Sequence, residues 1–296
     1  MEGRKILVTG PTSTVGLPVA LDLAERNEVW GVARFGDAAA RERLEAAGVR
    51  CEVVDLSTSD FTGLPDDFDH VVNFAIARGS DADWDHDLAA NGEAVGMLVR
   101  HCRSARSFLH CSSTAVYLPA GAHEVVETDA LGDNHRVMFA TYSIAKIASE
   151  VVARTACRQF GVPTTIARLN VPYGDHGGWP WFHLKMMEAG IPIPVHPDRP
   201  NRFNPIHSDD IVTQVPRLLE VATVPATTVN WAGAPASLED WCGLIGELTG
   251  VTPEFSETEH TIGSVTTDNT RMHALIGAAT IDWRTGITRM VEANRS

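Results

Sequence analysis

The segment Lys5–Gly16, with the sequence KILVTGPTSTVG, decides the fold. Its first five residues form an apolar run that predicts a buried strand, and from Val15 onward apolar residues recur at helical spacing. Gly10 suits the tight turn between strand and helix, and Gly16 lets the two pack closely. Backbone N–H groups at the start of such a helix can hold a pyrophosphate. Ser13 replaces the middle glycine of the usual fingerprint, and the turn still predicts a dinucleotide site.

Strands and helices alternate through the first 170 residues. Further strands are predicted at Glu28–Arg34, Val49–Val54, His70–Ala75, Ser107–Ser112 and Pro163–Leu169, and helices at Val15–Arg26, Ala38–Ala47, Trp84–Arg103 and Thr141–Phe160. This alternation implies right-handed βαβ crossovers. We therefore expect an α/β fold with a doubly wound parallel Rossmann sheet, whose ligands bind beyond the carboxyl ends of the strands.

The alternation breaks down after Asn170, where Gly, Pro and Trp crowd into residues 174–200. A helix at Ser208–Ala222, a strand at Thr227–Trp231 and a helix at Ser237–Thr249 follow. We expect a Rossmann domain over residues 1–170, to which residues 203–231 return. Residues 171–202 and 232–296 would form a smaller, interleaved substrate-binding lobe.

Composition and charge restrict the partners. The 296 residues carry 24 basic and 38 acidic side chains, a formal net charge of −14, which disfavours nucleic acids and anionic lipid. The sequence has no apolar run of the roughly 18 residues that a membrane span needs. Five scattered cysteines without a CxxC pair indicate reduced thiols. We expect a cytoplasmic protein that binds a small molecule.

The end of the second strand distinguishes the two nicotinamide cofactors. A carboxylate there accepts a hydrogen bond from the ribose 2′-OH of NAD, whereas a guanidinium pairs with the 2′-phosphate of NADP. This strand ends in Val32-Ala33-Arg34, and the first acid after it is Asp37. We therefore expect NADP, with NAD as the alternative.

A candidate catalytic group follows the fifth strand. Tyr142 and Lys146 are four residues apart in a predicted helix and so share a face, where the ammonium group would favour the phenolate. Such a tyrosine can exchange a proton with a substrate oxygen while a hydride moves to or from the same carbon. Ser113, just beyond the fifth strand, would hydrogen-bond that oxygen.

These motifs resemble the extended short-chain dehydrogenase/reductase family, which contains NAD(P)-dependent epimerases, dehydratases and reductases. Gly10–Gly16 is similar to the family's glycine motif, Ser112–Tyr117 (SSTAVY) to its SSxxVYG, and Arg168–Gly174 (RLNVPYG) to its RxxNVYGP. Further similar stretches are Asp55-Leu56, Asn73–Ala77 (NFAIA), Asn91, Arg202–Ile211 (RFNPIHSDDI) and Val229–Gly233 (VNWAG).

The resemblance implies roles for particular residues. Ser113, Tyr142 and Lys146 would be catalytic, and Lys146 would also bind the nicotinamide ribose. The expected cofactor-binding residues are Gly10, Thr12, Ser13, Thr14, Val15, Gly16, Arg34, Asp55, Leu56, Ala75, Ile76, Ala77, Asn91, Ser112, Tyr142, Lys146, Asn170 and Val171. The family also implies a homodimer through the helices that carry Asn91 and Tyr142.

Departures from the family pattern reduce the number of possible reactions. Thr114 and Ala115 stand where the family's 4,6-dehydratases carry an Asp-Glu pair, so dehydration is disfavoured. A sugar-nucleotide diphosphate needs cations from the small lobe, for which Arg199 and Arg202 are the candidates. Residues 178–182 (GWPWF) instead predict a wall for an apolar or aromatic substrate, or else part of the lobe's core. The expected substrate contacts are Thr114, Asn170, Trp179, Trp181 and Arg202.

Three functions follow from these features. The first is an NADP(H)-dependent oxidoreductase that interconverts a secondary alcohol and a ketone or aldehyde. The second is an NAD-dependent sugar-nucleotide epimerase, and the third is a non-catalytic NADP-binding sensor or scaffold. The twelve histidines form no HExxH motif, and no metal site is expected.

Overall fold

The computed structural model describes residues 1–77 and 83–295. In chain order its elements are β1 (Lys5–Thr9), α1 (Gly16–Ala24), β2 (Glu28–Ala33), α2 (Ala38–Ala46), β3 (Arg50–Val53), β4 (His70–Asn73), α3 (Trp84–Leu88), α4 (Ala94–His101), β5 (Ser107–Ser113), β6 (Glu124–Val125), α5 (Tyr142–Phe160), β7 (Thr164–Leu169), β8 (Pro172–Gly174), β9 (Gly177–Gly178), α6 (Trp179–Glu188), β10 (Ile193–Val195), β11 (Arg202–Phe203), β12 (Ile206–His207), α7 (Ser208–Glu220), β13 (Thr227–Trp231), β14 (Ala236–Ser237), α8 (Leu238–Thr249), β15 (Phe255–Glu257), β16 (Thr266–Thr267), α9 (Thr270–Ile276) and α10 (Trp283–Ala293).

The central sheet within these residues has seven strands in the order β3-β2-β1-β4-β5-β7-β13. Every neighbouring pair is parallel, which confirms the doubly wound Rossmann sheet. The strand order reverses between β1 and β4, so a crevice opens there beyond the carboxyl ends of the strands. The edge strand β13 is formed by residues 227–231. These residues lie in the segment 203–231, which was expected to return to the Rossmann domain.

Apolar side chains on both faces of the sheet hold the helices in place. On one face, α1 and α7 contribute Val19, Leu23, Val215 and Leu218. On the other face, α4 and α5 contribute a second cluster that includes Leu98 and a run of small residues such as Ala153 and Ala156. Because both faces are covered, the central strands are nearly continuous apolar runs.

The small lobe has a separate core. It is built around Trp241 of α8, Phe203 of β11 and Ile287 of α10. The helix α9 falls in the segment 232–296 assigned to this lobe, yet its Met272 and Ile276 pack into the core of the sheet. This differs from the expected division, because an amphipathic helix packs wherever its apolar face is covered, whatever its neighbours in sequence do.

The predicted helix Trp84–Arg103 is not continuous. A π-helical turn at Ala89–Glu93 separates α3 from α4. Asn91 lies in this turn, and its side chain bonds the backbone of Ala77. Turns of this type inside helices are frequent at functional sites. In the acidic run from Asp81 to Asp87, the first two residues lie outside the described part, while Asp83 caps α3 by accepting from the His86 N–H at 3.0 Å.

Candidate active site

A serine within the glycine turn after β1 links the two ends of that turn. Ser13 Oγ donates to the Gly10 carbonyl and accepts from the Gly16 N–H, both at 2.9 Å. Gly10 has φ +63°, and a Cβ there would lie 2.9 Å from the backbone of Ala75; a Cβ on Gly16 would lie 2.2 Å from the Gly10 carbonyl oxygen. Both positions therefore require glycine. The cradle fits a dinucleotide pyrophosphate, with Ser13 closing the turn in place of the missing glycine.

The loop after β4 is fixed from the other side of the crevice. Asn91 Oδ1 accepts from the Ala77 N–H at 2.7 Å, and Asn91 Nδ2 donates to the Ala77 carbonyl at 2.9 Å. Because both polar atoms of this amide are used, Asn91 shapes the segment Ala75–Ala77 that would flank the cofactor. Of that segment, the side chain of Ile76 lines the cavity described below.

Ser113, Tyr142 and Lys146 meet at the carboxyl end of β5. Ser113 ends β5, Tyr142 begins α5, and Lys146 lies one turn later in α5. Lys146 is 5% exposed, and its Nζ donates to the Cys111 carbonyl at 2.7 Å. Ser113 Oγ accepts from the Ala115 N–H at 3.1 Å, a bond that does not use its own hydroxyl hydrogen. Ser113 can therefore donate to a substrate oxygen.

A single cavity of about 280 Å³ joins this group to the glycine turn and to the small lobe. Its lining includes the expected residues Ser13, Thr14, Val15, Ile76, Ser112, Ser113, Thr114, Tyr142, Lys146, Asn170, Val171 and Trp179. Asn170 Nδ2 donates to the Val265 carbonyl at 2.9 Å and so ties the end of β7 to the small lobe. Val171 has φ +26°, a strained conformation for a β-branched residue at the mouth of the small lobe.

The aromatic side chains at the start of α6 point in two directions, some into the cavity and one toward the C-terminal helix. Trp179 lines the cavity, with its ring 5.2 Å from that of Phe203. Trp181 points elsewhere, because its Nε1 donates to Asn294 Oδ1 at 3.1 Å. Phe182, three residues after Trp179 and so on the same helical face, lines the cavity and is 56% exposed. The wall expected from Trp179 and Trp181 is therefore made by Trp179 and Phe182.

The two arginines considered for a diphosphate do not reach the cavity. Arg199 Nε donates to Glu239 Oε1 at 2.9 Å, and Arg202 is exposed on β11. The next residue of β11, Phe203, is buried and lines the cavity instead. Because successive side chains of a strand point to opposite sides, a cation at 202 and an aromatic ring at 203 cannot both face inward.

The residues expected at the adenosine end lie along the other half of the sheet. Arg34 is exposed directly after β2, and its charge acts on Asp55, which follows β3. Hydrogen bonds from the Ser57 hydroxyl and N–H hold the pKa of Asp55 below its usual value. Asp37 caps α2 by accepting from the Ala40 N–H at 3.0 Å. The carboxylate nearest the end of β2 in sequence is thus engaged in a helix cap.

Several lining residues were not predicted from the sequence. His135 and Phe139 precede α5, and their rings lie 5.8 and 6.1 Å from the Tyr142 ring. Their spacing of four residues was the available sign that they share a surface. The remaining unpredicted residues come mainly from strand ends and the small lobe: Phe74, Cys111, Leu169, Pro172, Phe203, Ile262 and Val265. Gly178 and Phe182 also line the cavity, and they belong to the segment 178–182 that the sequence predicts as an apolar wall.

A buried ion pair supports the floor of the site. Arg168 of β7 donates through Nε and Nη2 to the two carboxylate oxygens of Glu150 at 2.9 and 2.8 Å, and Ser112 Oγ donates to Glu150 at 2.6 Å. The Arg168 guanidinium also lies 4.8 Å from the centre of the Tyr117 ring. This pair fixes α5 against β5 and β7, directly below Ser113 and Lys146.

One cysteine, Cys111, lines the cavity. Burial raises the pKa of Cys111 to about 11, so its thiol is protonated near neutral pH. Over residues 1–77 and 83–295 no group of three or more His, Cys, Asp or Glu side chains could hold a metal ion. In the same residues no helix is long and apolar enough to cross a membrane.

The fold and the site define a nicotinamide-dinucleotide enzyme of the short-chain dehydrogenase type. The family model described as "NAD dependent epimerase/dehydratase family" matches residues 6–230. The chain therefore belongs to the NAD-dependent epimerase/dehydratase family. A search of the curated proteins gave no match.

Solved structures of similar fold include three sugar-nucleotide epimerases. UDP-glucuronic acid 4-epimerase from Bacillus cereus, in complex with UDP-glucuronic acid and NAD, has a TM-score of 0.83 at 19% identity, with 98% of each chain covered. UDP-glucose 4-epimerase from Thermotoga maritima, with UDP-glucose, has a TM-score of 0.83 at 18% identity, again with 98% of each chain covered. UDP-N-acetylglucosamine 4-epimerase from Methanobrevibacter ruminantium has a TM-score of 0.84 at 16% identity, covering 99% of this chain and 98% of that chain. At these identities the likeness is one of fold.

The buried ion pair leads to a stability prediction. Replacing Glu150 by alanine leaves the Arg168 guanidinium buried without its counter-charge, and we expect a loss of about 3 kcal/mol or more in the free energy of unfolding. The matched control is Glu45→Ala, which removes the carboxylate of an exposed pair with Arg41 and should leave stability nearly unchanged. Urea denaturation followed by circular dichroism measures both; equal effects of the two substitutions would contradict the assigned role of Glu150.

Proposed function

We propose that the protein is an NADP(H)-dependent oxidoreductase that interconverts a secondary alcohol and a ketone or aldehyde on a neutral, apolar or aromatic substrate. The observation that carries this proposal is the composition of the cavity. Of the described residues that line it, Lys146 alone contributes a lysine or arginine charge, and the side facing the small lobe is formed by Trp179, Phe182, Phe203 and Ile262. Such a surface favours an apolar substrate body.

The catalytic residues would act on the oxygen of the substrate. The nicotinamide group, when bound, supplies or accepts the hydride at carbon. Ser113 would donate a hydrogen bond to the carbonyl oxygen, and the Tyr142 hydroxyl would give its proton to that oxygen as the alcohol forms. Lys146 would stabilise the resulting phenolate through its charge and would bind the nicotinamide ribose. In the reverse direction Tyr142 takes the proton back from the alcohol.

The cofactor preference rests on the end of β2. Arg34 is exposed there, where its guanidinium can pair with a 2′-phosphate in a bidentate manner. The nearest carboxylate in sequence, Asp37, is engaged in capping α2. An exposed guanidinium directly after β2 supports NADP over NAD.

A sugar-nucleotide epimerase is the second candidate, and the similar structures favour it. Several of the similar structures contain a UDP-sugar, and five of them contain NAD. An epimerase would use the same Tyr142, Lys146 and Ser113, oxidising and then re-reducing one carbon without net turnover of cofactor. A UDP-sugar brings a diphosphate, whose negative charges need cationic partners. Arg199 and Arg202 do not line the cavity, so the composition of the cavity favours the oxidoreductase, whereas the similar structures favour the epimerase.

A homodimer through α4 and α5 is also proposed. These helices pack on each other, since a Cβ on Gly96 would lie 2.7 Å from Val152. Their outer surface exposes apolar side chains: Ile144 and Val151, seven residues apart in α5, are 38% and 58% exposed, and Met97 of α4 is 39% exposed. Burying this stripe in a second copy would remove apolar surface from water.

The first test of the proposed function concerns Tyr142. The protein is purified without added nucleotide, denatured to identify any released cofactor, and then assayed with NADPH and a panel of apolar and aromatic ketones and aldehydes. We expect an empty protein that oxidises NADPH, and a Tyr142→Phe variant at least about a hundredfold slower because it has no proton to give. Stoichiometric NAD released from the protein, together with turnover of UDP-sugars, would establish the epimerase instead. Binding of NADPH with no reaction on any substrate would favour the sensor or scaffold.

The second test concerns Arg34. An Arg34→Ala variant should bind NADPH about tenfold or more weakly, the effect of losing a charge-assisted contact, while its affinity for NADH stays near that of the wild type. Arg43→Ala, which removes an exposed arginine from α2, serves as the control and should change neither affinity. Fluorescence titration measures the dissociation constants of NADPH and NADH for the wild type and for both variants. An equal loss for NADPH and NADH would refute the contact with the 2′-phosphate.

The third test concerns the apolar stripe. A Val151→Glu variant places a charge on the proposed interface, and we expect it to elute as a monomer while the wild type elutes as a dimer. Val53→Glu, at an exposed apolar position of β3 on the far edge of the sheet, is the control and should remain dimeric. Size-exclusion chromatography with light scattering gives the masses; a monomeric wild type would contradict the dimer.

A further inference from the structure

A row of buried polar side chains crosses the sheet beneath the cofactor crevice. Strand register sets Thr9 of β1 beside Asn73 of β4, and Asn73 beside His110 of β5. All three are fully or almost fully buried among apolar strands. We call these residues, together with Ser149 of α5, the buried row. Polar groups in such a position are costly unless each is hydrogen-bonded.

The buried row is hydrogen-bonded without interruption. The Ala75 N–H donates to Thr9 Oγ1 at 3.1 Å, and Thr9 Oγ1 donates to Asn73 Oδ1 at 2.5 Å. Asn73 Nδ2 lies 3.0 Å from His110 Nδ1. His110 Nε2 in turn lies 2.8 Å from Ser149 Oγ, which donates to the Lys146 carbonyl at 2.7 Å. The row therefore runs from the loop after β4 to the turn of α5 that carries Lys146.

The direction of these bonds fixes the protonation of His110. Asn73 accepts through Oδ1, so its amide nitrogen donates and His110 Nδ1 must accept. The single hydrogen of the Ser149 hydroxyl goes to the Lys146 carbonyl, so His110 Nε2 must carry a hydrogen and donate. Burial, and next the ammonium group of Lys146, hold the pKa of His110 well below its usual value. The ring is thus the neutral tautomer with hydrogen on Nε2.

Both ends of the row bear on the site. Ala75 lies in the loop after β4, within 3 Å of where a Cβ on Gly10 would stand. At the other end, Lys146 is held twice: its carbonyl through Ser149 and His110, and its Nζ through the carbonyl of Cys111, the residue after His110. The position of the Lys146 turn of α5 along β5 therefore depends on His110.

We propose that His110 is a positioning residue of the active site, which links the loop flanking the cofactor to the turn of α5 that carries Lys146. This inference rests on the proposed function, in which Lys146 binds the nicotinamide ribose. His110 touches neither substrate nor cofactor in this role. The buried row allows only one arrangement of donors and acceptors. The position of the loop after β4 is therefore coupled through His110 to the position of the α5 turn that carries Lys146.

Two pairs of variants test the proposal. Ser149→Ala breaks the row at the helix, and His110→Phe removes both ring nitrogens while keeping an aromatic side chain. The matched control is Ser143→Ala, which removes another fully buried hydroxyl of α5, one that has no hydrogen-bond partner in the described structure. His110→Gln is the rescue, because its amide offers one acceptor and one donor. The measurements are the dissociation constant for NADPH by fluorescence titration and the melting temperature of each variant.

We expect Ser149→Ala and His110→Phe each to weaken NADPH binding about fivefold, the effect of one hydrogen bond, and the double variant to be no weaker than either. His110→Gln should recover most of the affinity, and Ser143→Ala should bind as the wild type does. Wild-type affinity in Ser149→Ala, an additive double variant, or a loss that merely follows the melting temperature would each overturn the proposal. A wild type that binds neither NADPH nor NADH would overturn the proposed function itself, a result distinct from the others.

Discussion

The hydrogen bond from Lys146 Nζ to the Cys111 carbonyl is the contact on which the rest of the site depends. An ammonium group that is almost fully buried is costly unless an acceptor meets it, so the long helix α5 can sit on β5 in only a narrow range of positions. That position sets Tyr142 at the end of β5, near Ser113. The Glu150–Arg168 pair and the buried row fix the same helix at two further points, one toward β7 and one toward β4. These three polar contacts, in an otherwise apolar interface, thus fix the position of α5 on the sheet.

The small lobe determines what can reach this group. Its side of the cavity is formed by Trp179 and Phe182 from α6, Phe203 from β11, and Ile262 from the segment before β16. The fold is shared with epimerases of UDP-sugars, and the reacting residues would serve either chemistry. A diphosphate needs cationic partners, whereas this wall is aromatic, and this contrast is the basis of the proposed apolar substrate. His183 illustrates how apolar the lobe is, since burial lowers its pKa to about 4 and its Nδ1 accepts from the Trp241 indole.

The sequence predicted the sheet well because strands and turns are local features. The central strands differ from their predicted bounds by at most two residues at either end, and the glycine turn is where the motif indicates. The prediction was less accurate where a long-range contact decides the local structure. The helix after β4 contains a π-helical turn at Asn91, whose side chain bonds the backbone of Ala77, and α9 joins the core of the sheet although its neighbours in sequence belong to the small lobe.

The sequence by itself therefore determined the fold class, the family and the residue types that can exchange a proton with a substrate oxygen. These properties follow from hydrophobic periodicity and from short motifs, and both involve residues that are close together in the sequence. Only the tertiary structure decided which side of β11 faces the cavity, and so placed Phe203 rather than Arg202 in its lining. It also decided that Trp181 turns away, and that His110 lies within hydrogen-bond distance of both Asn73 and Ser149. These outcomes depend on strand register and helix rotation, which are set by packing between segments far apart in the chain.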